Sequence, residues 1–203
     1  ERKRLSEEVH PLLMTRGVPG THDVKLGLEI INSLRNADKN TVTMIPRFNK
    51  AIDDVYPKSE WTKFVGKPDV VLIDGWCIDA TAQEDSELIT PVNELEATED
   101  KDCVWRRYVN DQLKTTYKDL FDTINFLVML QIPSYDKVFE WRNLQEEKLR
   151  IKNQGKEATH IMTPDQVRRF IAHYERITRH ILAEMPERAD MLFKVNDNHR
   201  LYI

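Results

Sequence analysis

Asp69-Val-Val-Leu-Ile-Asp-Gly-Trp76 is an apolar run entered after Lys67-Pro68 and ended by an acid and a glycine. Four branched aliphatic residues without alternation predict a parallel strand buried on both faces. Asp74 then falls at the carboxyl end of that strand, the edge where open α/β sheets bind ligands. Thr41-Val-Thr-Met-Ile45, Ile124-Asn-Phe-Leu-Val-Met-Leu130 and Ala189 to Val195 predict further strands. Between them the apolar spacing turns helical. Val24, Leu26, Leu28, Ile30, Ile31 and Leu34 share one broad face, and Trp105, Val109, Leu113 and Tyr117 mark a helix from about Val104 to Phe121. Thr163-Pro-Asp-Gln166 is a capping box with proline at the first helical position, starting a helix that Pro186 stops. Residues 1–10 read as a charged helix, 51–68 as a loop-like covering segment, and 78–101 as acidic with little regular pattern. Strands alternating with helices predict a single doubly wound α/β domain over 1–203, a mostly parallel sheet flanked by helices, with a helical lid-like region at about 134–163.

Composition narrows the class. The 203 residues, 40% hydrophobic and 32% charged, are enough for one sizeable core. A net charge of −4 attracts neither nucleic acid nor an anionic membrane, so anion binding must come from local Arg and Lys. No basic stripe with interleaved aromatics argues for nucleic acid. No run approaches the roughly 18 apolar residues of a membrane helix, and no signal peptide is visible, so a cytoplasmic location is expected. Cys77 and Cys103 are too few for a disulfide framework and lack zinc spacing, and both are expected to be small buried or half-buried thiols.

Three places carry candidate chemistry. The loop Met14-Thr-Arg-Gly-Val-Pro-Gly-Thr-His-Asp23 holds Arg16, His22 and Asp23 on a backbone with two glycines and a proline, while Thr21 or Asp23 can cap the helix that follows. Pro46-Arg-Phe-Asn-Lys50 sets Arg47 and Lys50 near the edge of Asp74 if the two strands are parallel neighbours, or near Asp53 and Asp54 for plain surface pairing. A hard carboxylate at that edge suits Mg²⁺ and its waters, and cations beside it suit an anionic substrate or a transferring phosphoryl group. Arg142 and Arg150 lie on a polar helix ahead of the break at Asn153-Gln-Gly155, as in a mobile lid, although a solvated charged helix explains the pattern as well. His173 and His180 share no metal-ligand spacing and read as structural.

Arg16-Gly-Val-Pro-Gly-Thr-His-Asp23, Pro46-Arg-Phe-Asn-Lys50, Val70-Val-Leu-Ile-Asp-Gly-Trp76, Trp141-Arg-x-x-Gln-Glu146 and Tyr174-Glu-Arg-Ile-Thr178, in this order and spacing, resemble the P-loop kinases of the D-glycerate 3-kinase type, within the phosphoribulokinase and uridine kinase superfamily. The resemblance covers nearly the whole chain. It implies a P-loop-kinase-like fold and ATP-dependent transfer of the γ-phosphate to a hydroxyl of glycerate or a similar small, anionic metabolite, with ATP and Mg²⁺ as cofactors. By the same resemblance Asp74 would hold Mg²⁺ through water, although the family more often has Glu there. Arg16, His22 and Asp23 would line the acceptor site, and Arg47 and Lys50 would face the acceptor's anionic group or the γ-phosphate. Arg142 would close over the phosphates from the lid, with Arg150 on the same helix serving the nucleotide. The family's glycine-rich phosphate loop and an acidic segment supplying the catalytic base belong upstream of residue 1, and no Gly-x-x-x-x-Gly-Lys-Ser/Thr pattern occurs in these 203 residues. The expectation is the C-terminal portion of a kinase of roughly 280 to 300 residues, incomplete at its N-terminus, inactive or weak alone, and able to self-associate through exposed sheet edges. The alternative is a non-catalytic binding or scaffold protein on the same frame.

Overall fold

The structure is a computed structural model describing residues 1–49, 53–152 and 161–202. In chain order its elements are α1 (Arg2–Glu8), α2 (Val24–Arg35), β1 (Val42–Ile45), β2 (Phe48–Asn49), β3 (Asp54–Val55), β4 (Thr62–Val65), α3 (Glu94–Glu99), α4 (Val104–Lys114), α5 (Thr116–Phe121), β5 (Val128–Gln131), α6 (Asp136–Lys152), α7 (Pro164–Ala172), α8 (Glu175–Glu184), β6 (Met191–Val195) and β7 (Leu201–Tyr202), joined by short 3-10 turns. Two compact units result, one of Asp23–Gly75 and one of Glu1–His22 with Trp76–Ile203.

In the smaller unit, the Asp23 carboxylate accepts from the Leu26 N–H at 2.9 Å and so starts α2, answering one of the orphan donors of a helix N-terminus. The Ser33 and Thr43 hydroxyls meet at 2.7 Å, tying α2 to β1. β1 is the strand expected at 41–45, but its partner is β4, drawn from the segment read as loop-like, and the pair is antiparallel, with Val42 opposite Val65 and Ile45 opposite Thr62. β2 and β3 form a small hairpin. The larger correction concerns 69–75. That run pairs with no described strand, and Val70 and Leu72 stand 79% and 88% exposed. An all-apolar strand is stable only when neighbours take its backbone hydrogen bonds and layers cover both faces. No described strand pairs with the run, so it forms no strand and Asp74 sits at no strand end.

In the larger unit, β5 and β6 form the parallel pair, Val128 opposite Met191 and Gln131 opposite Lys194, and β7 adds on antiparallel. Leu127 and Met129 are buried while Val128 and Leu130 face outward, the two-residue alternation of a sheet with one covered face. Trp105, Val109, Leu113, Tyr117 and Phe121 are all buried, as their spacing predicts, but the helix is broken at Thr115 into α4 and α5. The Thr115 hydroxyl donates to the Asp111 carbonyl at 2.6 Å, a side-chain bond that competes with the helix ladder. The capping box at Thr163 is present, with both reciprocal bonds made. The helix it starts is likewise divided at His173-Tyr174 into α7 and α8.

The acidic segment 78–101 is more ordered than its pattern suggests. Glu96, wholly buried on α3, accepts from Arg176 Nε at 2.8 Å and Arg176 Nη2 at 2.7 Å, from Arg106 Nη1 at 3.1 Å and from the Val92 N–H at 2.9 Å. Asp100 accepts from the backbone of Trp105 and Arg106. These ties pin α3, α4 and α8 together. Cys77 and Cys103 are buried free thiols, as expected, and burial pushes the Cys77 thiol up to about 12.

Candidate active site

The loop before α2 is tightly built. Gly17 and Gly20 adopt φ of 116° and 94°, the left-handed region that glycine tolerates at no steric cost. Their missing side chains are also required by space. A Cβ on Gly20 would lie 2.6 Å from Tyr108 Cε1 and 3.0 Å from Gln112 Cγ, and one on Gly17 would lie 3.0 Å from the Tyr174 hydroxyl. Thr21 closes the turn internally, accepting from the Gly17 N–H at 2.9 Å and donating to the Val18 carbonyl at 2.7 Å. Val18 and Pro19 are fully buried beneath it.

Three aromatic side chains from elsewhere in the chain hold this loop. The Tyr174 hydroxyl donates to the Arg16 carbonyl at 2.7 Å, and Trp76 Nε1–H donates to the Gly17 carbonyl at 2.7 Å, the two rings meeting edge-on at 5.0 Å. The Tyr117 hydroxyl accepts from the Gly20 N–H at 3.0 Å and lies 2.6 Å from His22 Nδ1. The consequence is that Arg16 and His22 project from a backbone fixed at Arg16, Gly17 and Gly20. Partial burial and the Arg16 charge both hold the His22 pKa below its ordinary range, so the ring is neutral at pH 7. Burial pushes the Tyr174 phenol up to about 12, against the opposing pull of Arg16 and Arg142. Tyr174, Tyr117 and Trp76 were not expected in this role. The sequence offered only a weak signal, that a phenol or indole on a core-facing position must still find a partner for its polar atom.

Arg142 of α6 is half-buried. It pairs with the buried Glu146 at 2.7 Å, stacks its guanidinium 5.6 Å from the Phe170 ring centroid, and keeps a buried Nε without a hydrogen-bond partner among the described residues. Glu146 is held in turn by the Met162 N–H at 3.0 Å. Phe170 meets Tyr174 edge-on at 5.0 Å, so Arg142 and the Arg16 loop are linked through two rings. Arg150, by contrast, is exposed and paired with Glu147, two turns further along α6.

Asp23, Arg47 and Asp74 belong to the smaller unit. Asp23 is exposed and engaged as the α2 cap. Arg47 stacks over the Tyr56 ring at 5.0 Å and donates to the Glu60 carbonyl at 3.3 Å. The expected edge shared by Arg47 and Asp74 rested on β1 and residues 70–73 being parallel neighbours, and the antiparallel β1–β4 pairing removes that basis. Lys50 lies outside the described residues, as does the break at 153–155. The Asp74 carboxylate is exposed and makes no hydrogen bond or ion pair with a described residue. Among the described residues no cluster of three His, Cys, Asp or Glu side chains could hold a metal ion, and no helix is long and apolar enough to cross a membrane. A lone carboxylate with water still matches Mg²⁺, which commonly takes one or two protein carboxylates and leaves its other positions to water and phosphate.

No protein-family model matches the chain. Among curated proteins it is similar to the chloroplastic D-glycerate 3-kinase of Arabidopsis thaliana, 27% identical over 191 residues that make up 88% of this chain and 38% of that protein. It is similar as well to TDA10 of Saccharomyces cerevisiae, a probable ATP-dependent kinase, 28% identical over 176 residues, 80% of this chain and 54% of that one. The chain thus spans only 38% and 54% of the length of these two relatives. Among solved structures it superposes on D-glycerate 3-kinase from Cryptococcus neoformans with a TM-score of 0.75 at 24% identity, covering 98% of this chain and 72% of the other. The expected P-loop-kinase-like α/β fold class is borne out, and the homologues of the chain are D-glycerate 3-kinase and related ATP-dependent kinases.

Proposed function

We propose that the chain carries the acceptor-binding part of an ATP-dependent kinase that phosphorylates a hydroxyl of glycerate or a similar small anionic metabolite. The observation that supports this most is the loop 16–22, held at three backbone points by Tyr174, Trp76 and Tyr117, in a chain whose relatives include D-glycerate 3-kinase. Phosphoryl transfer asks little covalent chemistry of a protein and much positioning and charge stabilisation. A loop tied at three backbone points, carrying a guanidinium and a neutral imidazole, is suited to hold a carboxylate and orient the hydroxyl beside it. Arg142, fixed by Glu146 and Phe170, supplies positive charge for the transferred group. Asp74 would hold Mg²⁺ through water, and the ion when bound neutralises charge on the phosphates. These 203 residues contain no glycine-rich cradle for the triphosphate, so turnover is to be measured on the full-length gene product with the 203-residue chain beside it.

The test is ADP release with Mg-ATP and D-glycerate, and with a panel of small hydroxy acids and sugars. Acceptor-dependent turnover is expected, lost by 10²-fold or more, on the order of an electrostatic contact to the reacting groups, in Asp74→Ala and in Arg142→Ala. Absence of both turnover and Mg-ATP binding in the full-length protein would leave a binding protein on a kinase frame.

A further inference from the structure

Behind His22 the hydrogen bonds leave only one consistent placement of protons. Tyr117 is 3% exposed, and among the described residues its hydroxyl meets the Gly20 N–H at 3.0 Å and His22 Nδ1 at 2.6 Å, with the His22 backbone bearing on it as well. A backbone N–H can only donate, so the phenol oxygen accepts from Gly20 and its own proton must find a different acceptor. His22 Nδ1 is the acceptor in reach. If Nδ1 carried a proton, in the other neutral tautomer or in the imidazolium, it would donate to the phenol as well, and the buried phenol proton would be left without a partner, the costly arrangement for a hydroxyl out of water. The imidazole is therefore neutral, with its proton on Nε2. Nδ1 faces Tyr117, Nε2 makes no hydrogen bond with a described residue, and the residue as a whole is exposed, so the Nε2–H is available to a ligand.

We propose that Tyr117 is a positioning residue that holds His22 as the neutral Nε2–H tautomer, so that His22 meets the acceptor as a hydrogen-bond donor to one of its oxygens and is not the base that removes the hydroxyl proton. This rests on the loop 16–22 being the acceptor site. It adds a division of labour within that site, since Arg16 and His22 then both donate and the group they recognise is rich in acceptor oxygens, a carboxylate or phosphate in place of a neutral sugar. The groups that bear on the ring are the Arg16 guanidinium, from the loop itself, and the Tyr117 phenol, from α5. Both disfavour a second proton.

The test is ¹⁵N NMR of the imidazole nitrogens in histidine-labelled full-length protein, His22 being assigned by comparison with His22→Gln. The expected spectrum at pH 7 has a protonated Nε2 and an unprotonated Nδ1, and Tyr117→Phe converts it to a mixture of tautomers. An Nδ1–H or cationic His22, or a Tyr117→Phe spectrum equal to that of the parent, overturns the positioning role. In turnover, His22→Gln, whose amide can donate near the place of Nε2, is expected to keep kcat within about tenfold, while His22→Ala raises KM for D-glycerate by about 10- to 100-fold, the weight of a hydrogen bond to a charged group. Loss of 10³-fold in kcat of His22→Gln with unchanged KM would show a general base and overturn the donor role. The expected tautomer together with no acceptor-dependent turnover and no D-glycerate shift at His22 would overturn the acceptor-site reading and the donor role resting on it, and would leave the Tyr117–His22 tautomer assignment standing.

Discussion

At the scale of single residues, the loop shows how backbone freedom and side-chain space combine. Gly20→Ala puts a Cβ into the left-handed region and 2.6 Å from Tyr108 Cε1, and is expected to lower stability by about 1–3 kcal/mol, read from urea unfolding, with acceptor KM rising as the loop shifts. Gly66, with φ of 95° but 3.8 Å of space to its nearest neighbour, is strained by substitution without being crowded, and Gly66→Ala should cost less. Glu96→Gln leaves the buried Arg176 without a carboxylate partner and Arg106 with Asp100 alone, and a loss of about 3–5 kcal/mol is expected. Arg16 and His22 were legible as candidates because polar groups stand on a loop of special geometry. Tyr117, Tyr174 and the Glu96–Arg176 pair were not, because the Gly20 N–H, the Arg16 carbonyl and the Arg176 guanidinium lie 97, 158 and 80 residues from Tyr117, Tyr174 and Glu96, and a single sequence contains no signal of that distance.

At the scale of elements, local rules succeeded where the determining atoms are neighbours in sequence. The Thr163 capping box is such a case, and Thr163→Ala is expected to cost about 1 kcal/mol in thermal unfolding, with the loss confined to the start of α7. Apolar periodicity placed the buried faces of α2, α4 and α5 correctly but could not see the breaks at Thr115 and at His173-Tyr174, which come from side-chain bonds to the preceding turn's carbonyls. Strands fared differently. The stretch 128–131 pairs with β6 and buries alternate residues, while the 69–75 run, with four branched aliphatic residues in a row, pairs with nothing described. Composition decides whether a segment can be a buried strand, and partners decide whether it is one.

At the scale of the molecule, buried titratable groups make stability depend on pH. Burial holds the His173 pKa below its ordinary 6.5, outweighing bonds to the Arg169 and Phe170 carbonyls that favour the charged ring. As pH falls below 6.5 the unfolded chain therefore takes up a proton that the native ring refuses, and stability falls. Burial raises the Glu96 pKa, but Arg176, the Val92 N–H and Arg106 outweigh it, so the carboxyl lies below its ordinary 4.5 and its contribution, complete above that value, is lost as pH drops through the native one. Urea midpoints are expected to fall first as pH drops below 6.5, where His173 and His22 both contribute, and again below 4.5, and His173→Gln should reduce the first decline only. With Val70 and Leu72 exposed, self-association of the chain is the expected outcome in sedimentation, and Leu72→Lys is expected to lower the measured mass towards that of a monomer. By itself, the sequence determined the α/β class, the helix faces, the capping signals and the polar groups of the loop, because each depends on residues within a turn or two of one another. Only the tertiary structure decided which strands pair and in which direction, where the helices break, and which aromatic side chains lock Arg16 and His22 in place, because those outcomes depend on hydrogen-bond partners and neighbours brought together from distant parts of the chain.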